Sequence, residues 1–266
     1  MLRASLVSLI AIGASGLSLS ASTAGAATAA STSTMPTIVL EHGAWADGSS
    51  WSGVVKRLQA AGYTVDVPAN PLRGPQVDVA YLQSYLKSVT GPIVLVGHSY
   101  GGFVTSDAAT GNPNVKALVY VDSYMPATGE TVTSINQQFP GSQLVPSALS
   151  FVPSPGGVVD AYIKPSLFGT IMTNGLPAKR AAELAATQRP IAAAALGEPS
   201  TAPGWDTIPS WDVIGTRDHA IPVAAQEFMA KRAHAKVTRI NAPHLSMIAQ
   251  PAKVAAVIES AARETN

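Results

Sequence analysis

The sequence predicts an α/β fold: about six mostly parallel strands in one sheet, flanked by helices. Short β-type runs recur six times with helix-period segments between them, the alternation of a parallel sheet covered on both faces. With 266 residues, 47% of them hydrophobic and only 12% charged, the chain can bury one large core. The run Val94-Leu-Val-Gly-His-Ser-Tyr-Gly-Gly102 climbs through apolar residues and then breaks into small ones around Ser99, as a buried strand does at a sharp turn.

Taken in order, Ile38–Leu40 is the first candidate strand. Trp51, Val54, Val55 and Leu58 then recur at helical spacing, and Gly62 is the stop. Tyr63–Val67 is the second strand, with Val79, Leu82 and Leu86 marking the helix behind it. Ile93–Val96 and Ala117–Val121 follow, separated by a helix-compatible stretch over Phe103–Thr110. Trp211–Ile214 and Val237–Ile240 complete the six, and Pro251 opens a last helix over Val254, Val257 and Ile258. Residues 123–209 break the rhythm with Pro140, Pro146, Pro153, Pro155, Gly156 and Gly157. A structureless loop of that length is uncommon in a compact domain, so a lid with elements of its own is expected after the fourth strand.

The first residues follow another pattern. Arg3, the apolar run Leu6–Ile12 and the small residues Ala24-Gly-Ala26 and Ala27-Thr-Ala29 describe a secretory signal peptide, cleaved near Ala26 or Ala29. The run is too short for a membrane anchor and is broken by Gly13 and Gly16, so no stable membrane insertion is expected. Residues 1–29 are assigned to signal and leader, residues 30–266 to one domain, and the mature protein is expected outside the cell. Cysteine is absent, which excludes a lipid-anchored lipoprotein and leaves the exported domain to be held by its core. Loss of Arg3 takes the formal charge from 17 − 16 = +1 to 16 − 16 = 0. No basic stripe is present, and nucleic acid is not an expected partner.

Ligands in open α/β sheets bind beyond the carboxyl ends of the strands, so the residues after each strand are the candidates for chemistry. Gly97-His-Ser-Tyr-Gly101 follows the third strand and precedes a helix, which is the setting of a nucleophile elbow. Ser99 needs a base to take its proton. His98 is locked beside the serine, His42 follows the first strand, His219 follows Asp218, and His234 is expected in a surface helix. His244 alone lies in a short loop between the last strand and the last helix, and is the expected base. Asp122 and Asp218 both follow strands, and either supplies the order Ser, Asp, His. Asp218 is the expected acid because its strand neighbours the one carrying His244, and Asp122 is then a hydrogen-bonding group at the floor of the lid. Asp212, inside a strand, has no assigned role. The backbone N–H groups of Tyr100 and Ala44 are the expected oxyanion donors, with His42 bracing the second loop. Trp45, Tyr124, Met125 and Phe168 are candidates to wall an apolar acyl site. No metal-ligand spacing, phosphate loop or dinucleotide glycine pattern occurs, so no metal and no cofactor is expected.

Glu41-His-Gly-Ala-Trp-Ala-Asp-Gly-Ser-Ser-Trp51, Gly97-His-Ser-Tyr-Gly-Gly102, Gly215-Thr-Arg-Asp-His-Ala-Ile-Pro222 and Ala242-Pro-His-Leu-Ser-Met247 together resemble the α/β-hydrolase superfamily. More narrowly, the chain from Thr37 to about Ala262 is similar to bacterial esterases related to plant methylesterases and hydroxynitrile lyases. The resemblance implies a triad at Ser99, Asp218 and His244, a lid after the strand ending near Asp122, and hydrolysis of a small-molecule ester through an acyl-enzyme. The lyases of that group carry threonine where Gly43 stands and lysine where Leu245 stands, so the groups that serve cyanide release are missing here. Exchanging both residues is expected to depress ester turnover and to introduce weak lyase activity. A cofactor-free perhydrolase or haloperoxidase side reaction on the same triad, and a non-catalytic ligand-binding role, are the other readings of this fold. Epoxide hydrolase or dehalogenase chemistry wants a carboxylate at the elbow, which Ser99 is not.

Overall fold

A computed structural model describes residues 35–265, so the expected leader over residues 1–29 lies outside the described residues. The first half of the sheet is laid down by β1 (Thr37–Glu41), α1 (Ser52–Ala60), β2 (Val65–Asp66), α2 (Pro75–Leu86), β3 (Ile93–His98), α3 (Tyr100–Ala109) and β4 (Val115–Val121). An insert follows, with α4 (Val132–Gln138), β5 (Leu149–Pro153), β6 (Val159–Ile163), α5 (Pro165–Met172), α6 (Ala178–Thr187) and β7 (Ile191–Ala192). The chain returns through β8 (Ser210–Gly215), α7 (Val223–Arg232), β9 (Lys236–Ile240), α8 (Ser246–Ala249) and α9 (Pro251–Glu264).

The strands order as β2-β1-β3-β4-β8-β9, and every neighbouring pair is parallel. All six residues of β3 are buried, as a central strand covered on both faces requires, whereas β9 at the edge exposes most of its length. The chain runs outward from β1 to β2 and then restarts on the other side of β1 with β3. That reversal opens a crevice between the loops after β1 and β3, at the carboxyl edge of the sheet. The second strand is shorter than its β-type run: only Val65 and Asp66 pair, because the edge position offers β1 as the single partner. The third helix begins at Tyr100 rather than Phe103, since the turn at Ser99 delivers the backbone directly into helical geometry. Asp212 stands at the centre of β8 with both carboxylate oxygens buried and unpartnered, and burial pushes its carboxyl well above the usual carboxylate range.

The insert carries its own small sheet, β5-β6-β7, antiparallel throughout, so the interval without strand–helix rhythm is an ordered lid. Its first helix starts on a reciprocal cap: the Thr131 side chain accepts from the Ser134 N–H, and the Ser134 hydroxyl accepts from the Thr131 N–H, each at 2.9 Å. Among the described residues, ion pairs tie the insert to the main domain at two places. Arg232 on α7 grips both carboxylate oxygens of Glu130 at 2.8 and 2.7 Å. Arg73 pairs with Asp160 on β6 at 2.8 Å.

Candidate active site

Ser99 stands between β3 and α3 with φ 53° and ψ −126°, a conformation that an L-residue adopts only when its surroundings impose it. Its N–H is held by the Val121 carbonyl of β4 at 3.2 Å. The turn closes this tightly because a side chain at Gly97 would lie 2.5 Å from the Gly102 Cα. The Ser99 hydroxyl donates to His244 Nε2 at 3.0 Å, and His244 Nδ1–H donates to Asp218 Oδ2 at 2.8 Å. The side chains of His244 and Asp218 are fully buried, and Ser99 is 3% exposed, so the three groups meet in a water-poor site.

Each member is held by bonds of its own. Asp218 Oδ1 accepts from the Ala220 and Ile221 N–H groups at 2.7 and 2.9 Å, and Oδ2 also accepts from Gln226 Nε2 at 2.9 Å. The loop of His244 is fixed by the Leu245 N–H on the Met172 carbonyl, 3.0 Å, and by His98, whose Nε2–H donates to the His244 carbonyl at 3.0 Å. Burial, and then the neighbouring His244, push the His98 ring well below the usual imidazole range, so it acts here as a neutral donor. His98 therefore points from the elbow to the base loop, a tether with no sequence signal beyond its place beside Ser99.

Asp122 has φ 46° and its carboxylate joins two of the three loops. Its Oδ1 accepts from the Gly215 N–H at 2.6 Å, at the root of the Asp218 loop, and its Oδ2 from the Ser246 N–H at 3.3 Å, two residues past His244. The next two residues hold the elbow: the Ser123 hydroxyl and the Tyr124 N–H both donate to the Ser99 carbonyl, at 2.8 and 3.3 Å. Burial, and then the charge of Asp218, push the Asp122 carboxyl well above the usual range.

The loop after β1 lies against the elbow. A Cβ at Gly43 would sit 2.7 Å from both the His98 carbonyl oxygen and the Ser99 Cβ. A threonine at residue 43 therefore forces the elbow or this loop to shift, which counts against the expected route to lyase chemistry by exchange at Gly43. His42 braces the loop: its Nδ1–H donates to the Gly43 carbonyl at 3.0 Å, its Nε2 accepts the Asn70 N–H at 3.1 Å, and Asn70 Nδ2 returns a bond to the His42 carbonyl at 3.0 Å. The N–H groups of Ala44 and Tyr100 belong to buried residues, and neither is engaged by another group among the described residues. Both donors flank the loop and turn that approach Ser99, and an oxyanion at such a place would need donors of this kind.

A cleft of about 550 Å³ lies in the insert and reaches Trp45, walled by Val132, Leu144, Leu149, Phe151 and Leu196. Tyr124 lies behind this wall, its hydroxyl donating to Asn136 Oδ1 at 3.1 Å, and Asn136 faces the cleft. Phe168 is placed elsewhere, beside a narrow pocket of about 10 Å³ that Leu245, Ile248 and Trp45 also line. Met125 is packed into the core, its N–H 3.2 Å from the Met229 sulfur of α7. His219 donates through Nδ1–H to the Thr170 carbonyl at 2.9 Å, on the flank of the lid. His234 is exposed in the turn after α7, not within a helix, at φ 50°. Among the described residues no group of three or more His, Asp or Glu side chains could hold a metal ion, and no helix is long and apolar enough to cross a membrane.

A carbendazim hydrolyzing esterase of Nocardioides sp. strain SG-4G is 30% identical over 114 residues, 38% of this chain and 47% of that protein. A pyrethroid hydrolase of Sphingobium wenxiniae is 33% identical over 110 residues, 37% of this chain and 39% of the relative. The match thus spans less than half the length of either curated relative. In fold, polyneuridine aldehyde esterase superposes with a TM-score of 0.73 at 19% identity, covering 85% of this chain and 99% of the other. The model of the alpha/beta hydrolase family matches residues 38–257, and the chain belongs to that family.

Proposed function

We propose that the protein is a secreted serine hydrolase that cleaves carboxylic esters of small molecules through an acyl-enzyme. The observation that carries this reading is the continuous bond path Ser99–His244–Asp218 beside two unengaged N–H donors. His244 Nε2 takes the Ser99 proton as Oγ bonds to the ester carbonyl carbon, and the Ala44 and Tyr100 N–H groups hold the developing oxyanion. Protonated His244 then gives that proton to the leaving alcohol as the ester C–O bond breaks. Water attacks the acyl-enzyme with His244 again as base, releasing the acid and restoring Ser99. Asp218 keeps the imidazole proton on Nδ1 throughout.

The apolar cleft beside Trp45 favours esters with a substantial apolar group, and the relatives' names, carbendazim hydrolyzing esterase and pyrethroid hydrolase, support ester hydrolysis. Turnover of p-nitrophenyl esters of graded acyl length tests the reading, together with cyanide release from mandelonitrile. Hydrolysis of short or medium acyl esters is expected, with no cyanide above the uncatalysed background. Cyanide release with no ester cleaved across the series would replace hydrolysis by lyase chemistry. Export rests on the leader pattern, and amino-terminal sequencing of the protein from culture medium should begin after Ala26 or Ala29.

Gly43→Thr should abolish function rather than convert it. The new side chain must displace either the elbow or the oxyanion loop, and loss of one oxyanion donor alone costs about 10²–10³ in rate. Ester turnover should fall at least that far, with a lowered melting temperature and no cyanide release, alone or with Leu245→Lys. Retained turnover in the single variant would show that the loop has room the packing denies.

A further inference from the structure

Trp45 is built into the lid as firmly as into its own loop. It sits directly after Ala44 with φ 57°, a left-handed conformation that is rare for a bulky residue. Two bonds from this single residue reach the insert. Its backbone N–H donates to the Arg189 carbonyl at 2.9 Å, and its indole Nε1–H donates to the Ala161 carbonyl of β6 at 2.8 Å. Trp45, only 5% exposed, also lines two spaces: the 550 Å³ apolar cleft and the narrow pocket by Phe168, Leu245 and Ile248.

The geometry assigns Trp45 two linked roles: the residue bounds the cleft next to the oxyanion loop and limits the apolar chain that an ester can carry, and its bonds to the insert hold that loop in place. This rests on the esterase reading and names the substrate class further, as esters whose apolar chain fits the cleft without entering the pocket lined by Phe168, Leu245 and Ile248. Trp45 is thus a specificity-determining residue through its ring and a positioning residue through its indole N–H. A buried donor that loses its acceptor, or an acceptor that loses its donor, pulls the local backbone out of register with the group it served. The backbone here carries the Ala44 N–H.

Two variants separate the roles. Trp45→Phe keeps a ring in the cleft and deletes the bond to Ala161. Trp45→Gly deletes the ring while suiting the positive φ, so it adds no backbone strain. Trp45→Phe should lower kcat about tenfold with KM within about twofold and an unchanged chain-length preference, a smaller loss than removal of a whole oxyanion donor. Amide hydrogen exchange should quicken at residues 43–45 and in β6. Trp45→Gly should bind n-alkyl methyl ketones two or more carbons longer than the wild type does, measured by titration calorimetry. Ketone binding involves no turnover, so a protein without esterase activity that still shows the shifted length limit removes the esterase reading and leaves this one standing. An unshifted ketone series in Trp45→Gly, or wild-type kcat and exchange in Trp45→Phe, overturns the assignment.

Discussion

Ser99→Ala is expected to fold like the wild type and to lose ester turnover by about 10³-fold or more. The hydroxyl is the one atom removed, and with it the 3.0 Å bond to His244 Nε2. The bonds that shape the elbow all use the Ser99 backbone and remain: its N–H to Val121, and its carbonyl to Ser123 and Tyr124. Thermal stability should therefore change little while chemistry is lost. A p-nitrophenyl phosphonate should label Ser99 in the wild type and nothing in the variant. Ser106 and Ser123 are the informative alternatives because both are near the elbow. Ser106 is paired with the Tyr120 hydroxyl at 2.9 Å, and Ser123 donates to the Ser99 carbonyl, so neither is held against a base. Labelling at either one, or full activity without the Ser99 hydroxyl, would refute the nucleophile.

The second large effect is expected at the acid. Asp218 Oδ1 already receives two backbone N–H groups, so an asparagine there must turn its oxygen toward Ala220 and Ile221. Its amide NH₂ then faces His244 Nδ1 and the Gln226 amide nitrogen, which are themselves donors. The imidazole is driven to the tautomer that presents N–H, not a lone pair, to Ser99. Asp218→Asn should cut turnover by about 10²–10⁴. Asp122→Asn should cost much less. Its oxygen can keep the shorter bond to the Gly215 N–H, and only the longer one to Ser246 is lost. A neutral amide also resembles the protonated carboxyl that burial favours at this position. Steady-state rates of the two variants side by side decide the matter. If Asp122→Asn proves the more damaging, the acid follows β4 and the roles assigned to the two aspartates are exchanged.

Local signals made the main features of this molecule legible in its sequence. Strand runs and helical spacing located the parallel sheet, because alternation and period depend on neighbours along the chain. The tight turn around Ser99 and the short loop holding His244 were marked by residues that the backbone itself demands, small ones at the elbow and proline before the histidine. Since ligands gather at the carboxyl ends of parallel strands, knowing where strands end was nearly enough to bring Ser99, Asp218 and His244 together.

What depends on contacts across the chain was decided only by the tertiary structure. Nothing local told Trp45, which lines the cleft, from Met125, which fills the core against Met229, or from Phe168, which lines the narrow pocket. All three are large and apolar, and their directions are set by an insert whose small antiparallel sheet has no strong period of its own. The same holds for His98 as the tether of the base loop, for Asp122 as the join of the acid and base loops, and for the closeness of Gly43 to the elbow. These partners lie tens to more than a hundred residues apart, and only the close packing of the folded core brings their atoms within a few ångströms.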